Sequence, residues 1–595
     1  MARLRPIPVL LFVFLATIVL GQRPLGSRVV DAASLEPLPY ASVVCLRTGE
    51  SVITNAEGVF RMIEVVEADT LVISYLGYQR FQTIVATMRQ LPEARLLPLR
   101  TELSAVQVVG RSDAVYDLVI ASGKHLRQLG KYEGKVYFEL ETRTAERTVE
   151  GIECFYNGSF NGANIEALDL KQGRIGLLPD KNRFVVNLNT SRGFMLLHPA
   201  ESNGAFPATP LQYRSRKALR RDFELTVLSI TYDTDELYHI RFTPKDSGGA
   251  FFQGELWVDA RTAVVRSLQL DCDSCTRHPF QAIFPGDELH GLELHYRQTY
   301  VPWQGRSMLN TIEMEYALTY HGSAGDPRLA ARAEDLALDR RMRTKGILHL
   351  YAPDVQFILP LFRYDAGQTD YRKVLSMPYD SAFWAEAPGL VPTERQLQDQ
   401  ALFAKEGLLV GNNSTLDRSG RKGRGFFESN YAFWSAQQRI GLKGTLAEGA
   451  YVPPVAMSTE VTANEVHLVV QLFLNVDRTD TGYRTFSATV FDGFSSYCHL
   501  DDKRNADLLL NIFFDLCEIE RRRMQAALDQ PGLSIERIRA IHANAEKSMD
   551  HTTGKFLKET RYGMDAEEMA QWNGRVVSEL GVDNFALFGI LKGGK

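Results

Sequence analysis

After Leu20 the chain has no apolar run long enough to cross a bilayer as a helix, which takes about 20 residues. It has no surplus of basic residues either: 67 Lys and Arg stand against 72 Asp and Glu, a formal charge of -5. A nucleic-acid partner normally meets a basic face, so none is expected. The twelve histidines offer no zinc spacing such as His-x-x-Glu with a distant histidine. No metal and no cofactor is expected, and a metallocarboxypeptidase centre is excluded. What is present, 45% hydrophobic and 23% charged residues in 595, is ordinary for material that buries cores, with room for roughly four domains.

The chain begins "MARLRPIPVLLFVFLATIVLGQ", with Arg3 and Arg5 before an apolar run from Val9 to Leu20 and small Gly21 before Gln22. This pattern predicts a signal peptide over residues 1–21, and with it an exported protein of the periplasm or outer membrane. No cysteine stands at the junction, so a lipid-modified terminus is not expected.

Residues 22–100 carry short β-branched runs, Ala41 to Leu46, Ser51 to Thr54, Thr70 to Tyr75 and Phe81 to Val85, between turn signals such as Asn55-Ala56-Glu57-Gly58 and Leu76-Gly77. They predict a small β-sandwich. Val30-Asp31, Pro37-Leu38-Pro39-Tyr40-Ala41-Ser42-Val43, Thr54-Asn55-x-x-Gly58-x-Phe60, Asp69-x-Leu71 and Ser74-Tyr75-x-Gly77-Tyr78 stand there in register. On these motifs the segment resembles the carboxypeptidase-like regulatory domain of Bacteroidota envelope proteins, a transthyretin-like sandwich. The resemblance brings no catalytic residue. Each matched residue has a structural role, since Gly58 and Gly77 suit turns, Phe60 and Leu71 suit the core, and Asn55 can form its own side-chain turn.

Residues 101–330 are read as a helix followed by an antiparallel meander. Val115, Leu118, Val119, Leu126 and Leu129 are spaced for one helical face, and alternating strands follow, among them "FELTVLSITYD", "LYHIRFTP", "AFFQGELWVD" and "AVVRSLQLD". Between two of these lies Asp246-Ser247-Gly248-Gly249, the tetrapeptide that surrounds a serine-protease nucleophile. Serine catalysis also needs a converging histidine and carboxylate, and His125, His198 and His239 lack the surroundings; the tetrapeptide is the turn of a hairpin. The meander, with Gly-x-Leu-Trp-Val-Asp and a polar turn, resembles the half-barrel sheet of envelope proteins that carry or contact lipoproteins.

Of the six cysteines only Cys272 and Cys275 lie close in sequence, as Cys-x-x-Cys. In an exported protein the leading reading is a loop-pinning disulfide, with free thiols or half a zinc site beside it. Cys45 and Cys154 sit in apolar strands and are expected to be buried. Residues 331–405 are read as a connecting region; it opens on a charged strap holding Arg340, Arg341 and Arg343. Asp380-x-x-Phe383-Trp384 followed by Pro392-Thr393-Glu394 is similar to a second feature of the same Bacteroidota proteins.

Residues 406–595 are read as a short β region and a helical bundle. Leu509, Ile512, Phe513, Leu516 and Ile519 form one helical face, Ser534 can cap a second helix, and Asp565 with Glu568 a third that ends at Gly581. "YCHLDD", Tyr497 to Asp502, is read as a loop rather than a metal site.

The expected whole is a mainly β, multi-domain protein with a C-terminal helical bundle that binds or scaffolds in the envelope. Its partner would be an envelope protein, lipid or glycan; the alternative is an exported hydrolase or peptidase. No catalytic residue is assigned. Ser247→Ala should change no activity, and a fluorophosphonate probe should leave Ser247 unlabelled; labelling abolished by that substitution would overturn the hairpin reading.

Overall fold

The computed structural model describes residues 24–589 apart from 64, 100, 103–112, 146, 181–182, 185–189, 233–235, 283–285, 304–305, 323–338, 364–368, 388, 407, 411–430, 438, 441–465, 480, 494 and 499–502. The segment 1–21 therefore lies outside the described residues. The chain forms two compact units, Met1–Pro98 with Pro388–Val391, and Leu99–Ala387 with Pro392–Lys595.

In the first unit, strand Leu25–Asp31 runs antiparallel to Val59–Met62 and parallel to Ala94–Leu96. A four-stranded sheet, in the order Ser51–Ile53, Ser42–Cys45, Thr70–Ser74 and Phe81–Ile84, shares its core. Val29, Val43, Phe60, Leu71 and Ile73 are fully enclosed. The motif residues do what their chemistry allows. Asn55 Oδ1 accepts the backbone N–H groups of Glu57 and Val59, both at 2.9 Å. Gly58 has φ +76°, and a Cβ there would stand 2.6 Å from the carbonyl oxygen of Val29. Asp31 accepts from Tyr78 at 2.8 Å and from two backbone N–H groups at 2.7 Å, which hold its carboxyl below the usual range.

The second unit is built on a twelve-stranded sheet. Its order is Leu408–Val410, Asn164–Leu177, Thr148–Asn161, Lys131–Arg143, Asp339–Pro353, Arg306–His321, Glu288–Trp303, Val265–Cys272, Gln253–Asp259, Glu236–Pro244, Phe223–Tyr232 and Thr101–Glu102, all antiparallel. Arg340, Arg341 and Arg343, read from sequence as part of a charged strap, thus stand in an inner strand. Alternation explains it: Met342 is buried, while Arg341 pairs with Glu293 and Arg343 with Glu315 across the neighbouring strands.

The sheet curls around one face. Gln298, in the strand Glu288–Trp303, donates from Nε2 to the carbonyl of Ala163 at 3.1 Å, although three strands separate it from the hairpin that Ala163 closes. Four strand spacings of a flat sheet are about 19 Å, so only a curled one brings these groups together. Val115, Tyr116, Val119 and Leu126 of the helix Asp113–Arg127 pack into that inner face with Phe194 and Phe280.

The C-terminal helices Lys503–Leu528, Ile535–Glu559 and Ala566–Leu580 follow a three-stranded sheet of Tyr431–Phe433, Gly482–Asp492 and Val470–Thr479. Ser534 and Asp565 cap their helices as read, and Gly581 ends the last one at φ 73°. Leu472, Leu474, Val476 and Phe491 of the sheet share one core with Leu509, Ile512 and Leu516. The bundle therefore leans on a sheet for part of its burial. Among the described residues no helix is long and apolar enough to cross a membrane.

The small sheet is pinned to the large one by Lys171, whose side chain is wholly enclosed. Its ammonium donates to Asn475 Oδ1 at 2.5 Å, the carbonyl oxygens of Ile358 and Val476 at 2.7 and 2.8 Å, and pairs with Asp477 at 2.9 Å. Removing one partner of such a buried pair costs about 3–5 kcal/mol. Lys171→Met should lower the unfolding free energy by about that amount, measured by urea titration at the tryptophan emission; a cost below about 1 kcal/mol would place the cluster with surface pairs.

Candidate functional site

The two faces of the large sheet carry different chemistry. On the inner face, three successive inward positions of the strand Glu288–Trp303 are Tyr296, Gln298 and Tyr300. All are buried, at 1%, 0% and 4% exposure. Among the described residues Tyr296 Oη, Tyr300 Oη and Gln298 Oε1 have no hydrogen-bond partner. Around them stand Leu270, Met314, Ile312 and Leu268, so a polar stripe crosses an apolar core. Burial pushes both phenols up, so they stay neutral donors. A buried polar group without a partner costs about 1–3 kcal/mol, and native proteins keep few of them.

On the opposite face, Tyr137, Glu139 and Glu153 form a relay. The Tyr137 hydroxyl lies 2.8 Å from Glu139 Oε2 and 2.8 Å from Glu153 Oε1. A phenol has one hydrogen, so it cannot donate to both. Arg174 Nε donates to Glu153 at 2.5 Å. Glu139 is pushed up to about 7, first by burial and then by Glu153. The one Tyr137 hydrogen serves one of the two carboxyls at a time.

The motif around Asp380 and Thr393 covers this relay. Asp380 caps the helix Ser381–Glu386, accepting from Ala382 and Phe383 through Oδ1 and from Asn475 at 2.8 Å through Oδ2. Phe383 and Trp384 pack on Phe155 with ring centroids 5.3 and 5.4 Å away, and Arg174 lies 4.5 Å over the Trp384 ring. Thr393 and Gln396 close a capping box on the helix Glu394–Glu406, with Gln396 Oε1 accepting from Thr393 N at 2.8 Å. Gln396 then donates to Glu139, and Arg395 grips Glu141 with two bonds of 2.9 Å.

Asp246 to Gly249 form a turn in which Asp246 Oδ1 accepts from Gly248 N at 2.9 Å, and no histidine is bonded to Ser247 among the described residues. Gly249, at φ +76°, lies so close to the cysteine loop that a Cβ would meet the Ser274 carbonyl at 1.9 Å. These two stretches look unrelated in sequence, and the fold brings them together. Cys272 and Cys275 are buried free thiols, and Cys45 and Cys154 are buried as expected. His239, considered as a base, stacks on Trp257 at 4.1 Å and bonds Glu255 at 2.8 Å. Tyr497 and Cys498 form a short strand with Val466–His467, and the rest of "YCHLDD" lies outside the described residues. Among the described residues no three His, Cys, Asp or Glu side chains gather to hold a metal ion.

Asp370 also gathers hydroxyls inside the sheet, from Thr190 at 2.9 Å and from Ser191. It bonds Ser191 N as well and fixes the start of the helix Arg192–Leu196, so its role is capping. Sequence reasoning missed the inner stripe. Its signal was the alternation Tyr296-x-Gln298-x-Tyr300 within "YRQTY".

The raised acidity constant of Glu139 makes the relay testable. Its folded value, about 7, exceeds the ordinary 4.5, so the folded state holds the extra proton between these two values. Wild-type stability therefore falls as pH rises through that window. Glu139→Gln, which keeps a donor toward Tyr137, should match the wild type near pH 4.5 and exceed it at pH 8 in urea unfolding. Parallel pH profiles for the two proteins would show that Glu139 is ionised throughout.

Residues 27–109 match the family model of the CarboxypepD_reg-like domain. No curated protein matches the chain. Among solved structures, MucB is 11% identical, covering 40% of this chain and 94% of its own, with a TM-score of 0.16. A LolA superfamily protein from Nitrosomonas europaea is 10% identical, covering 40% and 94%, with a TM-score of 0.16. A putative outer membrane lipoprotein-sorting protein domain from Vibrio parahaemolyticus is 9% identical, covering 43% and 96%, with a TM-score of 0.17. TM-scores this low do not establish a common fold. The family match thus covers the N-terminal segment, residues 27–109.

Proposed function

We propose that this chain is a non-catalytic binding protein of the cell envelope, exported by its N-terminal segment to the periplasm or outer membrane. Its ligand is an apolar group that carries hydrogen-bonding atoms, such as a lipid acyl chain with its ester or amide, taken against the inner face of the curled sheet. The observation that carries this reading is the stripe of Tyr296, Gln298 and Tyr300, two donors and an acceptor without partners among the described residues, inside an apolar core. A ligand would supply what the protein withholds. Entry requires the helix Asp113–Arg127 to lift; Arg127 tethers it through bonds of 2.8 and 3.0 Å to the carbonyl oxygens of Ala200 and Leu211.

The alternative, an exported hydrolase, is favoured by one observation, two carboxyls, Glu139 and Glu153, on one Tyr137 hydroxyl, with that of Glu139 pushed up to about 7 by burial and by Glu153. Gln396 bonds Glu139 and Arg174 occupies Glu153, so neither carboxyl is free to meet a substrate in this arrangement.

The test is the double substitution Tyr296→Phe with Tyr300→Phe, read with a fluorescent fatty acid. The substituted protein should be at least as stable as its parent, because each lost hydroxyl relieves a desolvation cost of about 1–3 kcal/mol. It should bind the probe about tenfold more weakly, the equivalent of one good hydrogen bond. A clear loss of stability with unchanged probe binding would mean that the hydroxyls serve the fold alone, and the reading would fall.

A further inference from the structure

The loop that follows the strand Val265–Cys272 joins three features that the binding reading leaves unused: a thiol pair, the Asp246 to Gly249 turn and an aromatic plug. Cys272 ends the strand, and Cys275 returns to the sheet three residues later through its N–H, which donates to the Leu292 carbonyl at 2.9 Å. Both sulfurs face backbone carbonyls: Cys275 Sγ lies 3.6 Å from the Cys272 oxygen, and Cys272 Sγ lies 4.0 Å from that of Gly249. Both cysteines are buried, at 4% and 8% exposure, while Asp273, Ser274 and Thr276 beside them are exposed. The same loop holds the neighbouring hairpin, since Thr276 N donates to the Gly249 carbonyl at 3.2 Å. Five residues after Cys275, Phe280 enters the inner face, stacked on Tyr316 at 4.4 Å and edge-on to Phe206 at 6.0 Å.

We propose that Cys272 and Cys275 are a reversible dithiol–disulfide pair, oxidised by a small disulfide, that fixes or frees the loop carrying Phe280. Cys45, Cys154 and Cys517 are buried in other elements. The exchange balances in two steps. The Cys272 thiolate attacks one sulfur of the small disulfide and releases one thiolate, leaving a mixed disulfide. The Cys275 thiolate then attacks the Cys272 sulfur and releases the second thiolate; the two protons of the cysteines pass to the released thiolates. Cys272 is the better attacker, because the neighbouring Cys275 thiol and the Ser274 N–H hold its thiol below the usual value. Either state is tolerated by the fold, since the thiols give up only long, weak hydrogen bonds on oxidation.

The experiment uses the full chain equilibrated with oxidised and reduced glutathione, quenched with acid, alkylated under denaturing conditions and digested. In oxidised glutathione the peptide holding both cysteines should lack two hydrogens and escape alkylation, and reduced glutathione should restore both alkylation sites. Cys45, Cys154 and Cys517 should stay alkylated throughout. Cys275→Ser should trap glutathione on Cys272, about tenfold faster than Cys272→Ser traps it on Cys275. Two results would overturn the proposal. Thiols that remain alkylatable in the native chain but pair once it is unfolded would show that the fold shields them. A disulfide that reduced glutathione cannot open without denaturant would show a permanent staple. Neither result bears on the stripe of Tyr296 and Tyr300, so the two readings fail separately.

Discussion

A buried ammonium fixes the small sheet of the second unit on the large one. Lys171 is wholly enclosed, and a charge of that size out of water is costly unless its hydrogens are met. Three oxygens and the carboxylate of Asp477 meet it, drawn from the segment at Ile358 and the strand Val470–Thr479. Burial pushes its acidity constant down and Asp477 works against that shift. The pair adds little net energy compared with well-packed apolar groups, but it fixes one register of the small sheet on the large one, because any slip leaves the charge unpaired. Arg484 extends the cluster, bonding Asp477 at 3.1 Å and Glu386 at 2.8 Å. The motif at Asp380 belongs to the same cluster through Asn475.

That anchor leaves the large sheet with two unlike faces. Its outer face, from Tyr137 to Arg174, is covered by the helices Ser381–Glu386 and Glu394–Glu406, and its polar groups are bonded into the covering elements. Its inner face is covered by apolar residues of Asp113–Arg127 and by Phe194 and Phe280, which do not reach the hydroxyls of Tyr296 and Tyr300. The outer cover is held by charge-assisted bonds, the inner cover chiefly by dispersion and by Arg127. Of the two, the inner cover is the easier to displace, since apolar surfaces can be replaced by another apolar surface without leaving a charge bare.

Much of the local structure was legible. The sandwich turns at Asn55 and Gly58, the hairpin at Asp246 to Gly249, the caps at Ser534 and Asp565 and the stop at Gly581 follow from chemistry within a few residues of each position. The order of the large sheet was not legible, because Asp339–Pro353 pairs with Lys131–Arg143 across almost two hundred positions of sequence, and nothing local announces it. Arg340, Arg341 and Arg343 looked like a solvated strap because Glu293 and Glu315, the partners of Arg341 and Arg343, come from two other strands. Lys171 was hidden by a β-bulge. Tyr156 pairs with Leu170 and Phe155 with Gln172, so Lys171 is the extra residue, turned out of the alternation that a sequence pattern assumes.

The inner stripe went unread for a different reason. Tyr296 and Tyr300 fit the inward positions of an alternating strand, and a tyrosine there reads as core filler whose hydroxyl will find a neighbour. Whether it does is a property of every element packed above it, and here the cover is Val115, Tyr116, Val119, Leu126, Phe194 and Phe280, while the flanking strands present Leu, Ile and Met. A phenylalanine would fill the same volume without the desolvation cost, so folding alone gives no reason for the hydroxyls. Positions where local and tertiary preferences conflict are where function is found in natural sequences, because selection keeps a costly group only for what it does. The cost falls on one strand, and its neighbours Leu268, Leu270, Ile312 and Met314 are close-packed and apolar, so the surrounding core can carry three unsatisfied atoms without losing its shape.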